Sequence, residues 1–108
     1  MTADPIPPTA VVRVSRANFD PARFPEVHEM AVAIGRYLIP AIKKLPGLIS
    51  YYAGASPEGS MVHVSIWESD RHAQQMSRLK EMIVDARQDA EAGAAFIPIV
   101  NYPIDWTI

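Results

Sequence analysis

The sequence contains no cysteine. This excludes disulfide staples, thiolate nucleophiles and cysteine-based zinc or iron–sulfur centres, and it suits a reducing compartment. Long apolar runs are missing as well, and nothing approaches the roughly 20 residues of a membrane-spanning helix. Glycine is sparse, with five residues scattered along the chain, and none builds a phosphate-cradling loop or a dinucleotide fingerprint. Neither sign of charge dominates. Ten basic and twelve acidic residues give a formal net charge of −2, without the dense positive surface of a nucleic-acid binder. The opening MTADPIPPTA has neither the basic start nor the apolar centre of a signal peptide. The expectation is a cytoplasmic protein that binds neither nucleic acid nor membrane.

What is present is an ordinary globular balance. Of 108 residues, 49% are hydrophobic and 20% charged, enough for one domain with a real core. Residues 1–9 carry Pro5, Pro7 and Pro8 and read as a loose arm, followed by a single domain over residues 10–108. Residues 11–16 are rich in β-branched side chains and read as a first strand. From Pro21 to about Leu45, Phe24, Val27, Ala31, Ile34, Leu38 and Ala41 recur at steps of three and four, the stripe of an amphipathic helix. Asp20 caps this helix, Pro40 is expected to kink it, and Pro46-Gly47 stops it. Residues 48–54 and 61–67 read as strands joined by a turn-rich hairpin over 55–60. A second helix is expected over about residues 71–92, capped by Ser69 or Asp70, with its stripe on Ala73, Met76, Leu79, Ile83, Ala86 and Ala90. Residues 97–106 form a last strand. Pro98 and Pro103 place it at an edge or a bulge.

The order β-α-β-β-α-β predicts an α+β, ferredoxin-like fold: a four-stranded antiparallel sheet with both helices on one face. The strands do not alternate cleanly between apolar and polar, so both sheet faces carry large apolar groups. An exposed face of this kind would be larger than soluble monomers usually tolerate. A homodimer formed through the helix-free sheet face is therefore expected, giving a dimeric α/β barrel. Cover by the N-terminal arm is the rival arrangement.

Leu45-Pro46-Gly47-Leu48 after a first helix, and Val62-His63-Val64-Ser65-Ile66-Trp67-Glu68-Ser69 leading into a second, resemble the antibiotic biosynthesis monooxygenase domain of the dimeric α/β-barrel proteins. The resemblance implies a pocket between sheet and helices in each subunit and an activity drawn from cofactor-free oxygenases of anthrones or quinols, haem-degrading enzymes, or non-enzymatic relatives. It also implies that Trp67 is a pocket residue. The haem-degrading branch requires a histidine in the second helix and an asparagine within the first strand. Here Met76, Ser77 and Arg78 occupy the former region, and Asn18 is expected to fall after the strand.

Candidate chemistry gathers on the third strand. His63, Ser65 and Trp67 share one face because they are two residues apart. Trp67 can stack on a planar aromatic ligand, or it can simply pack in the core. His63 titrates near neutrality and can act as a base toward a phenol or a carbon acid, or it can hold a cross-sheet hydrogen bond. His72, in the first turn of the second helix, is the other candidate base, and His28 borders the first helix's stripe. Tyr52 and Arg16 complete the candidate substrate-binding set with Trp67 and Ser65. Tyr51 points the opposite way from Tyr52, and Arg13 shares with Arg16 the potential to hold an oxyanion. The segment 101–106, with two aromatics and a proline, is expected to close the pocket mouth or cross onto a partner. No histidine pair has metal-ligand spacing, so neither metal nor other cofactor is expected. The leading expectation is a cofactor-independent monooxygenase acting on a phenol, quinol or anthrone. The alternative is a non-catalytic dimeric module that binds a small aromatic ligand or has a structural role.

Overall fold

A computed structural model describes residues 6–108. Of the proposed N-terminal arm, residues 1–5 lie outside the described residues. Thr9 Oγ1 donates to the Glu68 carbonyl at 2.6 Å, and Ala10, the first residue of the domain, is buried.

The chain forms β1 (Val11–Asn18), a 3-10 turn (Pro21–Arg23), α1 (Phe24–Lys43), β2 (Leu48–Ser56), β3 (Ser60–Trp67), α2 (Asp70–Ala73), a 3-10 segment (Gln74–Arg78), α3 (Lys80–Glu91) and β4 (Ala95–Pro103). The strands lie in the order β2-β3-β1-β4, every pair antiparallel. This is the ferredoxin-like α+β arrangement expected of a split βαβ topology. β1 extends two residues further than its β-branched run, so Asn18 is the strand's last residue rather than part of the turn beyond it.

Local chemistry accounts for most of the boundaries. The Asp20 carboxylate accepts from the Ala22 amide at 3.0 Å and caps the 3-10 turn that leads into α1. The face of α1 carrying Val27, Ile34, Leu38 and Ile42 is buried. The helix continues through Pro40 to Lys43. One missing N–H so near the end deprives only the Arg36 carbonyl of its helical partner. Gly47 ends this passage at φ 83°, where an added Cβ would run into the His72 ring. The β2–β3 hairpin is tighter than its turn-rich sequence suggests: Ser56 pairs with Ser60, and Gly59 turns the chain at φ 96°. β4 is an edge strand, with Pro98 at the register shift opposite Val14 and Arg16, a position that needs no ladder donor.

The second helical passage departs from expectation. It is not continuous: α2 gives way to 3-10 geometry, and Leu79 is extended (φ −73°, ψ 117°) before α3 begins. The break slips the phase of the buried stripe by one residue. Ala73 and Met76 are buried as predicted, but beyond Leu79 the inward set is Met82, Asp85, Asp89 and Ala92. Ile83, on the stripe expected to be buried, is 47% exposed. Two carboxylates have turned inward where apolar side chains were expected.

The core is divided into two clusters. One gathers Val11, Ile34, Leu38, Ile42, Trp67, Ala73 and Met76; the other gathers Ala17, Phe19, Val27 and Met61. Strand register explains the division. On the helix side of the sheet, Val11 pairs with Trp67 and Ala17 with Met61, while Arg13 opposite Ser65 and Ser15 opposite His63 lie between them. A polar belt therefore crosses the middle of the sheet.

Candidate functional site

A cavity of about 510 Å³ opens over that belt, between the sheet and α3. Its floor is Arg13 and Ser15 from β1, Tyr51 from β2, and His63 and Ser65 from β3. Met76, Ser77, Met82, Asp85 and Asp89 form the helical wall, and Phe96, Ile97 and Ile99 form the β4 side. The size suits a small, largely apolar ligand held by a few polar groups.

The expected site residues divide between cavity and scaffold. His63 and Ser65 line the cavity, as does the exposed Arg16. Trp67 does not line it. It is fully buried behind Ser65, and its indole N–H donates to Ser65 Oγ at 2.8 Å, fixing that hydroxyl from beneath. Tyr52 is 65% exposed and pairs with Val64 on the opposite, helix-free face. The tyrosine in the cavity is Tyr51. A register shift between Leu48 and Ser50 puts Leu48 and Tyr51 on the same side although they are three residues apart, as a bulge does. His72 also lies outside the cavity lining, beside Gly47, with its Nδ1 2.7 Å from the Ser69 hydroxyl. Ser69, not Asp70, is the cap of α2, accepting from the His72 amide. His28 stacks on Phe24 with ring centres 5.4 Å apart. Of residues 101–106, Asn101 supports the site from beneath while Trp106 is 77% exposed, and none of the segment lines the cavity.

Three polar arrangements face the cavity. In the first, Tyr51 Oη and His63 Nδ1 are 2.6 Å apart. Burial, reinforced by the negative charge of Asp85 and opposed by Arg13, pushes the Tyr51 phenol upward. Burial lowers the His63 pKa, so both rings are uncharged at neutral pH. We assign the phenol as donor to Nδ1, which makes Nε2–H the protonated nitrogen of His63.

In the second, Arg13 is only 6% exposed. It donates to Asn101 Oδ1 at 3.3 Å and to Ser77 Oγ at 3.2 Å, while the Asn101 amide donates to Asp70 at 2.9 Å. Burial lowers the guanidinium pKa, and Tyr51 and Asp70 partly oppose that shift.

The third is the pair that hydrophobic periodicity did not single out. Asp85 and Asp89, 4% and 7% exposed, sit one turn apart on α3. Burial raises Asp85 to about 6, partly offset by its hydrogen bond with Asp89. Burial, the Asp85 charge and that same bond raise Asp89 to about 7. The pair therefore holds roughly one proton near neutrality.

Among the described residues, the ion pair found is Arg23 with Glu26, remote from the cavity. Arg13 and the aspartates thus face one space without bridging it. No three histidine, cysteine or acidic side chains among the described residues converge as a metal site. No helix of the described residues is long and apolar enough to cross a membrane. The sequence did contain a usable signal. Helix-side residues read Val11, Arg13, Ser15, Ala17 in β1 and Trp67, Ser65, His63, Met61 in β3: both are polar in the middle and apolar at the ends.

No family model and no curated protein matches the chain. Solved structures do share its fold. SnoaB, a cofactor-independent oxygenase from Streptomyces nogalater, superposes with TM-score 0.60 at 15% identity, over 93% of this chain and 97% of that one. A monooxygenase from the gene ActVA-Orf6 of Streptomyces coelicolor, in complex with Nanaomycin D, gives TM-score 0.65 at 19% identity over 93% and 91%. A conserved protein from Methanosarcina mazei Go1 gives 0.66 at 17% over 88% and 92%. The architecture is that of antibiotic biosynthesis monooxygenase-type proteins.

Proposed function

We propose that this protein is a cofactor-independent oxygenase of planar aromatic carbon or oxygen acids such as anthrones and quinols. The observation that carries the reading is the cavity itself: a roomy, mostly apolar space with a proton-accepting carboxylate pair on one wall and, on the floor, a guanidinium that no carboxylate among the described residues ion-pairs. This arrangement can form and hold a substrate anion, and the fold is one that cofactor-independent oxygenases use. A passive binding module would not need strongly perturbed titratable groups in its pocket, and here four residues that line the cavity are perturbed besides Arg13.

The chemistry balances without a redox group on the protein. A base removes a proton from the methylene carbon of an anthrone, and the electron pair stays on the ring system as an enolate. Molecular oxygen takes one electron from it, the two radicals couple through a new C–O bond, and the returned proton gives a hydroperoxide. Loss of water breaks the O–O bond and the remaining C–H bond and leaves a carbonyl. In sum, one methylene group and one O2 become one carbonyl group and one water. The protein contributes orientation and stabilisation of the anion. Arg13 faces the developing charge, and His63 Nε2–H and Ser65 position the ring oxygen.

The same reading includes a dimer in the cytoplasm. Val12, Val14, Val62, Val64 and Ile66 form a partly exposed apolar field on the helix-free face, with Tyr52, Val100 and Tyr102 still more exposed. A second copy of that face is its natural cover. Oxygen uptake tests the activity: with anthrone, the protein consumes O2 saturably above a protein-free blank. No protein-dependent uptake across a panel of anthrones and naphthoquinols contradicts the proposal.

A further inference from the structure

Within the proposed oxygenase, the candidate bases are His63 and the aspartates, and the tautomer assigned to His63 favours the aspartates. His63 has its Nδ1 tied to Tyr51 at 2.6 Å, and with the phenol donating, its Nε2 already bears a proton. In that tautomer neither nitrogen is free to accept another. Asp85 and Asp89 are over nine-tenths buried and line the cavity, and no basic side chain among the described residues lies within ion-pairing distance of either. Arg13, also over nine-tenths buried, lines the same space. Opposite charges in one low-dielectric cavity would gain by contact. Here they are kept apart on α3 and β1, and the intervening space fits a molecule that gives a proton to one wall and leaves its negative charge facing the other.

We propose that the Asp85–Asp89 pair, two carboxyls sharing one proton, is the general base of this site, and that the cavity selects ligands that enter uncharged and ionise inside. In the step, the substrate C–H or O–H bond breaks, its electron pair stays on the substrate, and an O–H bond forms on the free carboxylate of the pair. The proton returns to the peroxide formed with O2. The groups facing the pair are Arg13 and Arg16 from β1, Tyr51 from β2 and His63 from β3. The residues of β4 that line the cavity carry no charge. A ligand already anionic meets carboxylate on the α3 wall and is disfavoured.

The inference rests on the oxygenase reading, and one set of measurements separates their failures. Oxygen uptake with anthrone is followed from pH 5 to 9 for the wild type, Asp85→Asn, Asp89→Asn, the double variant Asp85→Asn with Asp89→Asn, and His63→Ala, with equilibrium binding of 9,10-anthraquinone and thermal melting as controls. The double variant should melt cooperatively, bind anthraquinone within a few-fold of wild type and lose about 100-fold or more in kcat, the range of a lost general base. His63→Ala should lose about tenfold or less, through positioning. Carbon-13 carboxyl NMR should resolve two coupled titrations for the pair in wild type and one in Asp89→Asn. If the double variant does not fold, the single variants decide, and the activity profile of each should lose the second ionisation. A fully active double variant, or one titration in wild-type protein, overturns the assignment and leaves the oxygenase reading intact. A wild type that consumes no O2 while binding anthraquinone overturns both.

Discussion

At the scale of single residues, the inward carboxylates dominate. Each titrates in the folded protein well above the ordinary aspartate range, Asp85 at about 6 and Asp89 at about 7, whereas in the unfolded chain both ionise near 4. For groups raised on folding, the stabilising contribution is complete below the unfolded value and is lost as pH rises through the folded one. The pair should therefore lower stability progressively between about pH 4 and pH 7. Asp89→Asn should equal wild type near pH 4 and exceed it by about 1–3 kcal/mol at pH 8, as measured by urea unfolding at the two pH values; an equal gain at both would contradict the linkage. Neither aspartate is legible from hydrophobic patterning, which assigns charged residues to the solvent face. His63 and Ser65, in contrast, share a face with Trp67 on periodicity alone, because β3 pairs without interruption along β1.

At the scale of elements, regular segments were legible and irregular ones were not. The stripe of α1 and the two-residue period that puts His63, Ser65 and Trp67 on one face of β3 follow from period and propensity. The Ile49 bulge and the break at Leu79 carry no proline or glycine to announce them, yet each resets the phase of the residues beyond it. The first exchanges Tyr52 for Tyr51 in the cavity, and the second exchanges Ile83 for Asp85 on the buried face. Turn glycines are more transparent. Gly47, in the left-handed region, abuts the His72 ring, whereas a Cβ at Gly54 meets nothing within 4 Å. Gly47→Ala should cost more than about 2 kcal/mol, combining backbone strain with a clash. Gly54→Ala should be within about 0.5 kcal/mol of neutral. Chemical denaturation of the two variants checks the contrast, and equal effects would refute this account of the α1–β2 turn.

At the scale of the whole molecule, the sheet is covered by helices on one side and, among the described residues, by nothing from this chain on the other. A specific interface buries roughly 800 Å² per partner, an area that the helix-free valines, isoleucine and tyrosines can provide. Sedimentation equilibrium at micromolar concentration should therefore report two subunits, and Val64→Lys, a charge in the middle of that face, should report one. A wild-type monomer would remove the dimer from the account without touching the cavity, which lies on the opposite side of the sheet. The proposed activity belongs to that cavity, which would form an aromatic anion and give it to O2. Mass spectrometry of anthraquinone formed from anthrone under 18O2 is the decisive measurement. One 18O atom is expected in each molecule of product formed in excess of the protein-free blank, at the carbon that lost its hydrogens. Product that gains its new oxygen from water, or no product beyond the blank, would contradict it.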